Sequence, residues 1–134
     1  MDEPISDSDF RTLATFRREL RQFLQFSEAA ALSQGLSPQQ YQALLAIRGA
    51  DGQQMTVGNL AETLLLRPHS ASGLVSRLET IGMVERHGSE EDGRRRVVKL
   101  STRAKALLDT LSAAHRSELR RRRALLTTLL DSLG

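Results

Sequence analysis

The side chains best suited to chemistry in this sequence are arginines and small hydroxyl residues, gathered between positions 67 and 96. Arg67, His69, Ser70, Ser72, Gly73, Ser76 and Arg77 lie in one short stretch, and Arg94, Arg95 and Arg96 follow an acidic, glycine-containing loop. A guanidinium binds phosphate oxygens or forks onto a guanine edge, while small hydroxyl residues let a helix come close to base edges. This is the chemistry of recognising a polyanion. A nucleophile paired with a base is not found, nor a glycine-rich phosphate cradle, so the chain is not read as an enzyme. His69, His87 and His115 stand in separate segments without ligand spacing, and neither a metal nor a cofactor is expected. Absence of cysteine excludes a disulfide framework and a thiol switch.

Charge is distributed unevenly. Residues 1–66 carry five basic and eight acidic side chains (net −3), 67–103 carry eight and five (+3), and 104–134 carry six and three (+3). The basic half begins where the recognition residues begin. Two of the arginine groups have competing readings. Arg77 either reaches nucleic acid or pairs with Asp92 or Glu79, which would orient the loop instead. The run Arg120–Arg123 sits inside a helical segment, where successive residues point around the axis. It reads mainly as solvated surface, or as a partner for acidic residues on a second subunit's first helix.

These residues need elements to hold them. A first helix is expected to begin after Asp7 or Ser8 and to end near Gln34-Gly35, with Leu13, Phe16, Leu20 and Phe23 on one stripe. Ser37, Pro38 and Gln40 spell an N-cap, a first helical position and a capping box, with Leu36 and Tyr41 as a staple and Leu44, Leu45 and Ile47 as a buried face. Thr56 caps a short helix through Leu64, and Pro68 starts another in which Ala71, Leu74, Val75 and Leu78 fall at i, i+3, i+4 and i+7. Two short helices joined by a tight turn outline a helix-turn-helix. Val84–His87 and Arg96–Leu100 read as the strands of a hairpin, and Ser101 or Thr102 caps a long last helix. Its apolar positions include Ala104, Leu108, Leu111, Leu119, Leu126, Leu129 and Leu133.

The expected fold is therefore mainly α with a small β-hairpin. A chain of 134 residues has little need of two long apolar-striped terminal helices inside one globule. Phe16, Leu20 and Phe23 at one end and Leu126, Leu129 and Leu133 at the other are expected to meet across the boundary of a homodimer. No segment approaches the about 20 apolar residues of a membrane span, and Met1-Asp2-Glu3-Pro4 is acidic where a signal peptide is basic. A cytoplasmic protein with no membrane partner is expected.

From Leu60-Ala61-Glu62 through Pro68–Arg77, Leu78-Glu79, Ile81-Gly82-Met83-Val84-Glu85-Arg86, Glu91-Asp92-Gly93-Arg94 and Val98-Lys99-Leu100-Ser101, the chain resembles the MarR (multiple antibiotic resistance regulator) family at matching spacing. The most specific parts are Leu-Glu-x-x-Gly leading to Val84 and Arg86, and Asp92 with Arg94 nine and seven residues before Ser101. The resemblance implies a winged helix-turn-helix lobe over 36–101 and dimerisation helices over 1–34 and 102–134, together one MarR-type domain. It implies a recognition helix in the major groove of a pseudo-palindromic operator and a wing in the minor groove. Arg67, His69, Ser70, Ser72, Gly73, Ser76, Arg77, Arg94 and Arg95 would meet double-stranded DNA, and Asp92 would orient the wing. A small aromatic or amphipathic effector near the junction of helices and lobe is implied for a repressor. The competing class is a winged-helix module for protein association or architecture, without sequence reading. Leu65 stands where family members often carry Gly, and Arg67 where they often carry Ser or Thr.

Overall fold

The computed structural model describes residues 3–88 and 96–134. Asp92, Arg94 and Arg95 lie outside the described residues. The element order is α1 (Asp7–Ser33), α2 (Pro38–Gly49), a single 3-10 turn (Asp51–Gln53), β1 (Gln54–Thr56), α3 (Val57–Leu64), α4 (Pro68–Thr80), β2 (Val84–Gly88), β3 (Arg96–Leu100) and α5 (Thr102–Asp131). Among the described residues, no helix is long and apolar enough to cross a membrane.

Caps explain most boundaries. Ser37 Oγ accepts from the Gln40 amide at 3.1 Å and Gln40 Oε1 accepts from the Ser37 amide at 2.9 Å, the reciprocal capping box expected from the sequence. A second box opens α1, where Ser6 and Asp9 exchange the same two bonds. The helix therefore starts from Ser6 rather than after Asp7 or Ser8, with Asp9 in the place usually held by Glu or Gln. Thr56 and Ser101 cap α3 and α5 through the amides of Asn59 and Ala104.

The core occupies the central lobe. Leu44 and Ile47 of α2, Leu60 of α3, Leu74, Val75 and Leu78 of α4 and Val98 of β3 are fully buried together, joined by Ala104, Leu108 and Leu111 from the start of α5. Leu45 departs from the expected buried face: it is 44% exposed, because a residue adjacent to Leu44 lies about 100° further around the helix. Three strands form the sheet in the order β1-β3-β2, where a two-stranded hairpin was expected. Gln54, Met55 and Thr56 pair with Lys99, Val98 and Val97. Three residues with one apolar side chain carry no periodicity, so β1 leaves no sequence signal. It ties the start of α3 to the hairpin.

The terminal helices run antiparallel within one chain. Thr12 meets Ser132 at 3.1 Å, Glu19 meets Arg122 at 2.6 Å, and Ser27 meets His115 at 2.7 Å. The two helices expected to meet across a subunit boundary are thus bonded to each other within one chain.

The turn between α3 and α4 is built on an unusual residue. Leu65 has φ 57 and ψ 42, the left-handed region, and is 92% exposed. The amide of Leu66 closes back on Ala61 O at 2.8 Å, as that of Met83 closes on Leu78 O at 2.9 Å past Gly82. The two helix ends share a geometry, but only Gly82 reaches it without a Cβ penalty. Leu65→Gly should therefore stabilise the fold by about 0.5–1 kcal/mol, the left-handed cost of about 1–2 kcal/mol less the chain entropy that glycine adds. Denaturant titration reads the difference, and destabilisation would mean that the Leu65 side chain is packed.

Candidate nucleic-acid interface

Helix α4 is seated by its four buried residues, Ala71, Leu74, Val75 and Leu78, all at the expected spacing. What remains turns outward. His69, Ser70, Ser76 and Arg77 are exposed, Ser72 and Gly73 are half-buried, and Arg67 is the exposed N-cap residue. The side chain of Arg67 makes no capping bond and Pro68 has no amide hydrogen, so the first turn offers unpaired amides, a positive dipole end and a nearby guanidinium. No acidic residue occupies that turn. Such an end accepts an anion.

Arg77 lies back along the helix. A Cβ built on Gly73 would stand 3.4 Å from Arg77 Nη1, so the guanidinium covers the one position of α4 that has no side chain. Glu79, a suggested partner for Arg77, holds Arg86 instead: Arg86 Nε donates to Glu79 Oε1 at 3.2 Å and Arg86 Nη2 to Ser76 Oγ at 3.0 Å. The alternative partner, Asp92, lies outside the described residues. Arg86 was not among the candidates for the site, although its place in the Gly82–Arg86 run was visible. The hairpin base is fastened by Ser101, whose hydroxyl donates to Gly82 O at 2.8 Å, and by Arg103 to Ile81 O at 3.3 Å.

The last helix builds a second feature with α2. A groove of about 530 Å3 runs along α5 past α2, lined by Tyr41, Leu45, His115, Leu119, Leu126 and Leu130 with Arg116, Arg120 and Arg123 beside them. At its floor His115 is buried, stacked on Tyr41 with centroids 4.7 Å apart and edge-on to Phe23 and Phe26. Its Nδ1 is 2.6 Å from Leu111 O, which can only accept, so that nitrogen carries the hydrogen. In the neutral ring Nε2 then accepts from the Ser27 hydroxyl. One imidazole thereby joins α1, α2 and α5, a role that the isolated histidine did not suggest.

Of the expected interface residues, Phe16, Phe23, Leu126 and Leu129 are half-buried and Leu20 and Leu133 are exposed. Phe23 is engaged within the protomer, against His115. The Arg120–Arg123 run divides. Arg121 is solvated, whereas Arg122 turns inward to Glu118, Glu19 and Gln22. Glu118 lies four residues before Arg122, a helical pairing distance readable in the sequence.

Residues 34–95 match the model of the MarR family. No curated protein matches the chain. Among solved structures, AbsC, a MarR family transcriptional regulator from Streptomyces coelicolor, aligns with a TM-score of 0.76 at 20% identity, covering 98% of this chain and 93% of its own. A probable transcriptional regulator from Pseudomonas aeruginosa gives 0.61 at 29% identity, covering 86% and 93%. A mutant of MepR from S. aureus, bound to an oligodeoxyribonucleotide, gives 0.73 at 20% identity, covering 90% and 96%. Residues 34–95 thus match the MarR family model, and the chain shares its fold with MarR family transcriptional regulators over nearly its whole length.

Proposed function

We propose that the protein is a homodimeric repressor that reads a pseudo-palindromic DNA operator and is released by a small aromatic or amphipathic effector. The observation that carries the DNA reading is the α4 surface: four buried residues seat the helix and leave Arg67, His69, Ser70, Ser72, Gly73, Ser76 and Arg77 on its outer side, beside the β2–β3 hairpin. MepR, with the same fold, has been captured on an oligodeoxyribonucleotide, which supports the same kind of partner here. Arg94 and Arg95 of the wing supply minor-groove or phosphate contacts, with Asp92 orienting them. The groove over His115 and Tyr41 lies between α5 and α2 of the lobe and is large enough for a small molecule. A ligand there acts only by preferring one spacing of the two recognition helices. Residues 36–101 form the DNA-binding lobe, and 1–34 with 102–134 the dimerisation helices.

The experiment is a salt titration of duplex binding by the wild type and by Arg94→Ala. Losing one contact per subunit should make the slope of log affinity against log salt shallower by up to about two units, with stability within about 0.5 kcal/mol of wild type. An unchanged affinity and slope in a folded dimer would remove Arg94 from the interface and favour an association module.

A further inference from the structure

Arg86 is the side chain through which strand β2 grips helix α4. It sits in mid-strand, paired in register with Val98 of β3, and its side chain is only 23% exposed. Its two bonds diverge: Nε goes to Glu79 Oε1 at 3.2 Å and Nη2 to Ser76 Oγ at 3.0 Å. Ser76 and Glu79 are three residues apart, hence on one face of α4. A planar guanidinium that makes both bonds fixes direction as well as distance, which the single ammonium of lysine does not. Among the described residues, the other hydrogen bonds near this junction, Met83 N to Leu78 O, Ser101 to Gly82 O and Met83 O, and Arg103 to Ile81 O, lie at the hairpin's base. Further out on β2, the His87 side chain bonds, among the described residues, within its own strand to Glu85.

We propose that Arg86 is a positioning residue: by clamping β2 to Ser76 and Glu79 it sets the angle at which the hairpin leaves α4, and so the separation of wing and recognition helix. Its consequence for DNA rests on the reading given above. Ser76, expected from the sequence among the residues that meet DNA, serves through its hydroxyl as an acceptor in this clamp. Arg86 acts through Glu79 and Ser76, not through contact with DNA.

Glu79→Ala gives the discriminating test, because electrostatics and the clamp forecast opposite signs. Removing a carboxylate near a polyanion strengthens binding if charge alone matters. The clamp instead requires Glu79→Ala and Arg86→Ala each to weaken binding to a duplex selected by the wild type by about tenfold, the size of one or two lost charge-assisted contacts. The double variant should be no weaker than Arg86→Ala alone, since both changes break one unit. In the free proteins, amide hydrogen exchange across Val84–Gly88 and Arg96–Leu100 should quicken in both single variants while that of the buried face of α4 is kept. Tighter binding by Glu79→Ala, or additive losses in the double variant, would overturn the clamp and make Arg86 a direct phosphate contact. If the wild type selects no duplex, the repressor reading fails, and exchange alone decides: quickened strands uphold the clamp and unchanged strands overturn it.

Discussion

Arg122→Ala is expected to cost about 3–5 kcal/mol of folding stability, the range for removing one partner from a buried ion pair. Arg122 Nη1 bonds Glu19 Oε2 at 2.6 Å and Gln22 Oε1 at 3.2 Å, while Nε and Nη2 approach Glu118 Oε1 at 3.1 and 3.0 Å. The three side chains are 17%, 15% and 10% exposed for Arg122, Glu19 and Glu118, so water compensates little. Alanine leaves two carboxylates facing each other between α1 and α5, with Arg121 touching only Glu118. Denaturant unfolding at neutral pH measures the loss. Adding Glu19→Gln to Arg122→Ala should recover part of it by removing one uncompensated charge. A loss below about 1 kcal/mol, the usual worth of an exposed pair, would mean that water enters this seam.

The second large effect is expected from Leu126→Glu. The outer half of α5 and the residues after it leave Leu119, Leu125, Leu130 and Leu133 exposed, and α1 with the segment before it adds Ile5, Phe10, Leu13, Leu20 and Leu24. So much exposed apolar surface on a small protein is what the association face proposed above requires. Leu126 is half-buried and lines the groove with Leu119 and Leu130. A carboxylate there would be desolvated in the dimer at a cost of several kcal/mol, but would reach water in a monomer. Sedimentation should give monomer with helical circular dichroism retained, and duplex binding should fall with it. A well-folded dimer of normal affinity would take Leu126 out of the interface.

Where local chemistry decides structure, these residues were readable in advance. Ser37-Pro38 with Gln40, Thr56, Pro68 and the 3.6-residue spacing of Ala71, Leu74, Val75 and Leu78 place α2, α3 and α4 where the structure has them. Strand β1 was not readable, because its cause is the β3 edge more than forty residues away. Leu45 and Phe23 show a second kind of limit. Periodicity marks an apolar position but not the surface that receives it, so Leu45 borders a groove and Phe23 packs on His115 within its own chain. The site follows the same division. The outward-facing set on α4 could be named from residue types, whereas the bonds of Arg86 and the His115 junction depend on which elements come side by side. Leu65 combines both: its type is wrong for the conformation that the turn imposes, and the structure gives it that conformation nonetheless.

The central claim is that the α4 surface and the wing read a DNA sequence as a pair. Selecting duplexes from a random pool with the purified protein, then sequencing the bound fraction, tests it most directly. Enrichment of a pseudo-palindrome is expected, with half-sites about one helical turn, roughly 10–10.5 base pairs, apart and binding well above random duplex at the same salt. A bound pool with no enriched sequence, and one salt-dependent affinity for every duplex, would contradict it.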